Sequence, residues 1–482
     1  MVGFNITDKV ALKILIPVGA CLDVPTGAIV VGKMGESIIN GGLGQLTGIV
    51  GPGNSFKSTI LHYLMLSAAD KVFEAFPTIM MTYDTENNIS LERTQALASK
   101  FKSLPPEICS GENPVWTITD KSMIYANTFA VKLNEYVEAK MKDKSLDVEY
   151  QAFIDPYTKK PLRAKLPSFV EVDSVTELEA ESTAEMLTED LDGSNTNTYA
   201  MKQGLFKTKW MSTLPRITGP SNTNMLLTAH IGSKIDMATG PAVYQQPTRS
   251  LQYLKHGDAL KGVSSKFTFL LNSAWFADTA SLLKNQTTKQ AEYPNGVNDR
   301  NDTDLNIVKL RQLRSKTGVS GAITELIVSQ TEGVLPSLTE FHFIKENNRF
   351  GIGGSNIHYS LDLLPEISIS RPTVRNKLDN DPKLRRAVNI TSELLQLSIY
   401  HPVLERLGLM CTPKELYDDI KKLGYDWNML LSTRGYWTIN QYDNPVPFLS
   451  SIDLLKMRKG LYFPYFLNED KTLNEKYKPK NV

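Results

Sequence analysis

The residues best suited to chemistry lie in a glycine-containing loop, GPGNSFKST, at positions 51–59. An apolar run at 46–50 has the pattern of a short buried strand, and residues 60–69 are apolar at helical spacing. Backbone N–H groups at the start of such a helix converge on one point, where the helix dipole is positive and a triphosphate fits. This context predicts a P-loop in which Lys57 reaches the β- and γ-phosphates and the Ser58 hydroxyl holds Mg²⁺. The predicted phosphate-binding residues are Gly51, Pro52, Gly53, Asn54, Ser55, Phe56, Lys57, Ser58 and Thr59.

The loop departs from the P-loop consensus at one position. Phe56 stands where a glycine normally precedes the lysine. The competing interpretation is an ordinary strand–helix turn that contains glycine. The Lys-Ser-Thr sequence at the expected place, with a strand before it and a helix after it, favours nucleotide binding.

Two acidic residues follow predicted strands and could complete a site for phosphate chemistry. Residues 78–83 read as a strand that ends in Asp84-Thr85-Glu86, and residues 168–174 read as a strand that ends in an acid, Asp173. Ligands of open α/β sheets bind at the carboxyl ends of the strands. Glu86 could orient and deprotonate the water that attacks the γ-phosphate, and Asp173 could hold the Mg²⁺ shell through water. The competing interpretation of Glu86 is a solvated loop acid, and an acid at a strand end indicates little by itself.

His230 ends a fourth predicted strand at 224–230. A polar side chain there could sense the γ-phosphate and pass its presence to the next loop, and a structural histidine is the alternative. The segment 232–262 is rich in Gly, Gln, Ser and Thr, with separate cations and two tyrosines. Such a segment could grip a nucleic-acid backbone, although a solvated surface loop has the same composition.

Two cations occupy alternate positions of a late predicted strand. Strands are expected at 266–272 and 304–310, and the second runs into Lys309-Leu310-Arg311. Alternate residues of a strand share one face, so Lys309 and Arg311 could project together toward an anion. An exposed sheet face is the competing interpretation.

Composition limits the possible classes of protein. The chain has 482 residues, 41% of them hydrophobic, and a formal net charge of +1, so a nucleic-acid surface would have to be local. Three distant cysteines (Cys21, Cys109 and Cys411) suggest a reducing compartment and no zinc site. No apolar run is long enough to span a bilayer and no signal peptide is evident, so we expect a cytoplasmic protein without membrane contact.

Three parts are expected along the chain. Residues 1–30 form an N-terminal arm, which could serve oligomerisation, and residues 31–365 form the core, with an inserted hairpin at about 146–166. Residues 366–482 form an accessory domain with enough aromatic side chains for a small core of its own. Its clearest local signal is Thr412-Pro413-Lys414-Glu415, which predicts a capped helix start.

The motifs GPGNSFKST, YDTE, FVEVDS, LLTAHIGSK and the late Lys-x-Arg resemble the core of RecA-type recombinases, and they are most similar to the UvsX-like branch of bacteriophages. That branch also has Ser-Phe-Lys-Ser in its P-loop, Asp-x-Glu after the second strand, and histidine at the position of His230. The resemblance covers about residues 25–345. It implies an α/β fold with a RecA-like P-loop ATPase core, in which helices flank a mostly parallel twisted sheet, plus the smaller C-terminal accessory domain.

The resemblance also implies a function and a role for each matched residue. It implies a DNA-dependent ATPase that uses ATP and Mg²⁺ to assemble as a helical homo-oligomer on single-stranded DNA, pair it with double-stranded DNA and exchange strands. Glu86 matches the water-activating glutamate, Asp173 the Walker B acid and His230 the switch residue. Lys309 and Arg311 match a basic pair that reaches the ATP of the neighbouring subunit. Phage replication or recombination mediator proteins are possible partners, in the cytoplasm of a bacterial host.

The chain departs from the family in two places that bear on its ligands. Arg93 stands where the family often stacks an aromatic ring on adenine, and a guanidinium can stack as well. The region of the first DNA-binding loop, 171–192, is strongly acidic, which would repel phosphate. The cations assigned to DNA contact are Lys202, Lys207, Lys234, Arg249, Lys255 and Lys261.

Two other functions are compatible with the same core. A hexameric replicative helicase shares the ATPase fold, but such helicases usually end the fourth strand in glutamine, so His230 favours the recombinase. A clamp or loader that uses nucleotide only as an assembly switch is the other alternative. Intact Lys57 and Glu86 argue against it, because they predict hydrolysis.

Overall fold

The structure is a computed structural model that describes residues 12–189, 196–233, 258–260, 263, 266–295 and 303–478. Its strands, in chain order, are β1 (Ala28–Val31), β2 (Ser37–Asn40), β3 (Leu46–Gly51), β4 (Met80–Asp84), β5 (Trp116–Asp120), β6 (Asp147–Ile154), β7 (Pro161–Lys165), β8 (Ser168–Asp173), β9 (Thr223–Ser233), β10 (Asp258–Leu260), β11 (Ser273–Ala277), β12 (Ser281–Leu282), β13 (Leu305–Ser315), β14 (Ile323–Ser329), β15 (Gly333–Val334), β16 (Ile352–Gly354), β17 (His358–Leu361) and β18 (Leu364–Ser370).

The helices of the described residues are α1 (Asp23–Thr26), α2 (Lys57–Phe73), α3 (Leu91–Ala98), α4 (Ala126–Lys142), α5 (Glu181–Glu189), α6 (Thr196–Ser221), α7 (Lys266–Leu270), α8 (Pro336–Glu346), α9 (Val374–Asn380), α10 (Pro382–Tyr400), α11 (Val403–Arg406), α12 (Pro413–Lys422), α13 (Trp427–Leu430) and α14 (Ser451–Arg458). Among them, none is both long and apolar enough to span a bilayer.

One large mixed sheet organises the chain, with the strand order β15-β14-β13-β11-β3-β9-β8-β4-β5. The six strands from β11 to β5 run parallel, and β13, β14 and β15 add antiparallel strands at the other side. Every residue of β3 and of β8 is buried, as expected for strands covered on both faces. The expectation of an α/β fold with a mostly parallel sheet flanked by helices is therefore confirmed.

Successive residues of the central strands face opposite layers of helices. Ile49 and Leu226 pack with α2 on one side, whereas their neighbours Val50 and Leu227 pack with Trp210 of α6 and side chains of α4 on the other. Because the six parallel strands share one direction, their carboxyl ends lie at one edge of the sheet. The loops at that edge contain the residues to which the sequence assigns chemistry.

The N-terminal arm docks against the first helix of the core. Ile16 pairs with Leu43 in an antiparallel bridge, and the Tyr63 and Ser67 hydroxyls of α2 donate to the Val18 carbonyl at 2.5 and 2.9 Å. The described residues of this predicted N-terminal arm therefore pack on the core of the same chain. Residues 1–11 lie outside the described part.

Most predicted local elements are found, including the inserted hairpin, which is formed by β6 and β7. The strand expected at 266–272 is wrong, because residues 266–270 form α7 and the strand β11 begins only at Ser273. Phe267 and Leu271 are both fully buried at a spacing of four residues, which suits a helix. They lie over Gly48, where a Cβ atom would overlap both side chains.

The C-terminal segment contains the predicted capped helix, α12. Thr412 N–H donates to Glu415 Oε2 at 2.8 Å, and Glu415 N–H donates to Thr412 Oγ1 at 3.2 Å, which is the reciprocal capping box. The aromatic residues of this segment pack in two places. Trp437 meets Phe153 of the inserted hairpin edge-on at 4.9 Å between ring centroids, whereas Phe466 joins the cluster beside β13 and β14.

Candidate nucleotide-binding and catalytic site

The predicted phosphate loop leaves β3 at Gly51 and enters α2 at Lys57. A Cβ atom on Gly51 would overlap the Ala277 carbonyl oxygen, so this position requires glycine. Phe56, the residue that departs from the consensus, has φ of +55° immediately before the helix. A left-handed backbone costs a non-glycine residue of order 1 kcal/mol or more. The Phe56 side chain is partly buried against the apolar cluster that includes Ile60 and Leu64 of α2. This packing offsets the cost of the left-handed backbone.

Lys57 lies inside the loop rather than in solvent. Its ammonium donates to the Pro52 carbonyl at 2.6 Å, and the residue is 8% exposed. Burial lowers the pKa of Lys57, while the carboxylates of Asp173 and Glu86 act in the opposite direction. The three side chains therefore lie close enough to interact electrostatically, although they come from three separate parts of the chain.

Ser58 and Asp173 supply oxygen atoms of the kind that Mg²⁺ prefers. Asp173 is 4% exposed and accepts a hydrogen bond from the Thr228 hydroxyl, and Ser58 lies half-buried in the first turn of α2. Among the described residues there is no group of three or more His, Cys, Asp or Glu side chains that could hold a metal alone. The donor set is compatible with Mg²⁺ bound through phosphate and water, and the roles of the Ser58 hydroxyl as a ligand and of Asp173 as a holder of the water shell stay predictions.

Glu86 and His230 meet at the carboxyl edge of the sheet. His230 Nε2 lies 2.6 Å from Glu86 Oε1, and each side chain is a little under one-third exposed. Partial burial raises the pKa of Glu86, but the hydrogen bond from His230 and the charge of Lys57 outweigh it and hold that pKa below its usual value. The carboxylate can only accept, so His230 donates. The contact links the tip of β4 to β9.

Asp84 shapes the loop that carries Glu86, a role that the sequence did not reveal. The Asp84 carboxylate is buried and accepts four backbone hydrogen bonds of 2.8–2.9 Å, from the N–H groups of residues 86 to 89. The neighbouring Thr85 N–H donates to the Asp173 carbonyl at 2.8 Å. These bonds hold Glu86 beside the Asp173 strand. An acid followed directly by four polar residues, 85–88, is the only sequence signal for such a turn.

Replacing Asp84 with asparagine should loosen this loop. The amide nitrogen of asparagine cannot accept, so two of the four backbone donors lose their partner, at a cost of about 2 kcal/mol or more. We expect a lower melting temperature and slower ATP hydrolysis with little change in nucleotide affinity, measured by thermal unfolding, turnover and equilibrium binding. Asp120→Asn is the matched control, because Asp120 lies beside Asp84 at the tip of β5 but is only partly buried, with Ser122 as the donor to its Oδ1. Equal effects of the two changes would contradict this role.

Arg93 lies on α3, the helix that follows the loop of Glu86. It is exposed at the start of α3, and its Nη1 donates to the Gln330 carbonyl at 2.7 Å. The turn that follows Gln330 approaches the P-loop helix, since a Cβ atom on Gly333 would lie 3.7 Å from Thr59 Cγ2. The structure thus brings Arg93 and the turn at 330–333 together near the phosphate loop. The stacking role of Arg93 remains a prediction.

Lys309 and Arg311 lie on β13, two strands away from the phosphate loop strand. Phe276 of β11 is aligned with Arg311 on one side and with Val50 of β3 on the other. Lys309 is 45% exposed and pairs with Glu325 on β14 at 3.1 Å, whereas Arg311 is half-buried. Their alternate positions place both residues on one face of the sheet, as predicted.

The cations assigned to DNA have different environments. Lys202 is exposed on α6, but Lys207 is 4% exposed and its ammonium donates to the Thr176 carbonyl at 2.5 Å. Burial lowers the pKa of Lys207 to about 8. Lys207 therefore supports the segment after Asp173 and does not lie on a surface that DNA could reach. Lys234, Arg249, Lys255 and Lys261 lie outside the described residues.

The carboxyl edge of the sheet thus collects the predicted phosphate loop, the buried carboxylate of Asp173 and a Glu–His pair from distant segments. Backbone and side-chain bonds join them, including His230 N–H to Thr176 Oγ1 at 2.9 Å. No protein-family model matches this sequence, and no curated protein is significantly similar to it. The geometry of these residues is therefore the main support for a function.

Proposed function

We propose that this chain is an ATP-dependent DNA recombinase of the RecA type, which assembles on single-stranded DNA, pairs it with homologous double-stranded DNA and exchanges strands. The observation that carries the proposal is the 2.6 Å contact between Glu86 and His230 beside the phosphate loop. A general base for ATP hydrolysis is bonded to the last polar residue before the segment to which the sequence assigns DNA contact. That arrangement suits an ATPase that responds to DNA.

Each residue has a defined task in this proposal. The amides of the loop and Lys57 bind the β- and γ-phosphates, and Ser58 and Asp173 hold the metal. Bound Mg²⁺ neutralises charge on the phosphoryl oxygens. Glu86 accepts the proton of the attacking water, and its loop is kept in place by Asp84. In this task Glu86 must be ionised, which its lowered pKa ensures at neutral pH.

His230 would couple hydrolysis to DNA through the same contact. A base works best when its pKa lies near the working pH, so Glu86 is a weak base while His230 donates to it. His230 lies on β9 just before the segment assigned to DNA contact. DNA that moves this end of β9 would withdraw His230, raise the pKa of Glu86 and speed proton transfer.

The rate of ATP hydrolysis with and without single-stranded DNA tests this function. The proposal predicts faster turnover with DNA, and strand exchange between a single strand and a homologous duplex. His230→Ala should turn over at similar rates in both conditions, because the DNA signal no longer reaches Glu86. Equal rates for the unaltered protein would contradict the proposal. Unwinding of a forked duplex without strand exchange would instead indicate a ring helicase.

Lys309 and Arg311 should act on the ATP of the adjacent protomer. The exposed ion pair of Lys309 with Glu325 is weak, about 0–1 kcal/mol, so a phosphate could replace it. A mixture of Arg311→Ala and Glu86→Gln, each nearly inactive alone, should recover part of the activity. At a mixed interface one intact Glu86 faces one intact Arg311.

The matched control mixes Arg311→Ala with Lys309→Ala. Every interface in that mixture lacks one of the two cations, so activity should not return. Co-assembly of the proteins is verified by light scattering. If the Arg311→Ala and Glu86→Gln mixture co-assembles and stays as inactive as its parents, the basic pair does not act between subunits.

A further inference from the structure

A buried polar pair joins α2 to β8, the two elements that carry the proposed metal ligands, and it has no role in the chemistry described so far. His62 Nδ1 lies 2.8 Å from Glu171 Oε2, and the two residues are 7% and 0% exposed. Glu171 also accepts a hydrogen bond from the Thr82 hydroxyl at 2.9 Å. The Thr82 oxygen in turn accepts a hydrogen bond from the Trp116 indole N–H at 2.8 Å. The pair therefore connects α2 to three neighbouring strands.

The position of the pair relates it to both proposed metal ligands. Glu171 precedes Asp173 by two residues on β8, so both side chains project to the same face of the sheet. His62 follows Ser58 by four residues on α2, so both lie on one face of that helix. The His62–Glu171 bond therefore joins α2 to β8 about one helical turn below Ser58 on the helix and two residues before Asp173 on the strand.

Stability alone does not account for a carboxylate at this depth. Glu171 Oε1 is buried and has no hydrogen-bond partner among the described residues. Burying a charged group is costly, and a buried pair is often replaced by apolar side chains without loss of stability. A hydrogen bond differs from an apolar contact because it fixes a distance and a direction. This pair is suited to holding α2 at one position relative to β8.

We propose that the His62–Glu171 hydrogen bond sets the spacing between Ser58 and Asp173, and thereby the affinity of the site for a magnesium–nucleotide complex. The inference rests on the proposed ATP-dependent function. It makes His62 and Glu171 positioning residues, which touch neither phosphate nor metal.

Two substitutions at Glu171 separate side-chain length from charge. Glu171→Gln keeps the length and an oxygen that accepts from His62 and Thr82, but it removes the charge. Glu171→Asp keeps the charge and removes one methylene, so the bond to His62 must stretch or break. Both changes are small, and circular dichroism verifies that each variant is folded.

The readout is equilibrium binding of a fluorescent, non-hydrolysable ATP analogue, titrated with magnesium and repeated in EDTA. Loss of a residue that orients a metal ligand typically lowers metal affinity about 10–100-fold. We therefore expect Glu171→Asp to lose at least about tenfold in apparent magnesium affinity. Glu171→Gln should rescue most of this affinity, and all three proteins should bind the analogue alike in EDTA.

Two results would overturn the positioning role. If Glu171→Gln is impaired and Glu171→Asp is not, the charge of Glu171 matters and its length does not. If both variants match the unaltered protein, the pair has no effect on the metal site. If the unaltered protein binds no nucleotide at any magnesium concentration, the ATP-dependent function itself is wrong, and this inference fails with it.

Discussion

Lys57→Ala is expected to abolish ATP hydrolysis while the protein remains folded. The ammonium of Lys57 lies within the loop, where it would neutralise charge on the transferred phosphoryl group. Loss of one such group typically slows the chemical step by at least about 10²-fold. The fold should persist, because the side chain makes its hydrogen bonds to the loop itself, at the Pro52 carbonyl and near Ser55 Oγ.

The measurement is steady-state ATP turnover with and without single-stranded DNA, together with thermal unfolding. Lys71→Ala is the matched control, because Lys71 lies on the same helix and donates to Ser67 far from the loop. It should hydrolyse ATP at the normal rate. Turnover of Lys57→Ala at the normal rate would end the assignment of the P-loop.

Glu86→Gln should bind ATP normally and hydrolyse it about 10²–10⁴-fold more slowly, the usual contribution of a general base. The glutamine oxygen can still accept from His230, so the link between β4 and β9 is retained while proton transfer is lost. The variant should therefore accumulate in the ATP-bound assembly. Equilibrium binding, single-turnover hydrolysis and sedimentation measure the three effects.

Glu92→Gln serves as the control for this change. Glu92 is exposed in the first turn of α3, a few residues from Glu86, and bonds only to the nearby Ser90 hydroxyl among the contacts described. It should leave binding and turnover unchanged. Normal hydrolysis by Glu86→Gln would mean that the general base lies elsewhere.

Local signals in the sequence were sufficient for much of the fold and for expecting Glu86, Asp173 and His230 at one edge of the sheet. The phosphate loop and the acids after β4 and β8 follow from apolar runs that end in polar residues. The start of α12 follows from Thr412 and Glu415, whose capping bonds involve only neighbours in the chain. Such features depend on short-range geometry, so a single sequence can reveal them.

Features that depend on distant packing were missed or wrongly predicted. Lys207 lies on α6 among other basic residues, which suggests an exposed cation. Its ammonium is buried because it donates to the carbonyl of Thr176, which is 31 residues away in the sequence. The segment at 266–272 was assigned to a strand because its apolar residues fit either element, and Gly48 on β3 is what accommodates α7. His62 and Glu171 are 109 residues apart, so no local pattern relates them.

Electron microscopy of the protein with ATP and single-stranded DNA tests the central claim most directly. Glu86→Gln is the best sample, because slow hydrolysis should preserve the assembly. The account predicts helical filaments that follow the DNA and require ATP, and that are absent when Lys57→Ala replaces the active protein. Closed rings, or no assembly on DNA under conditions where ATP is bound, would contradict it.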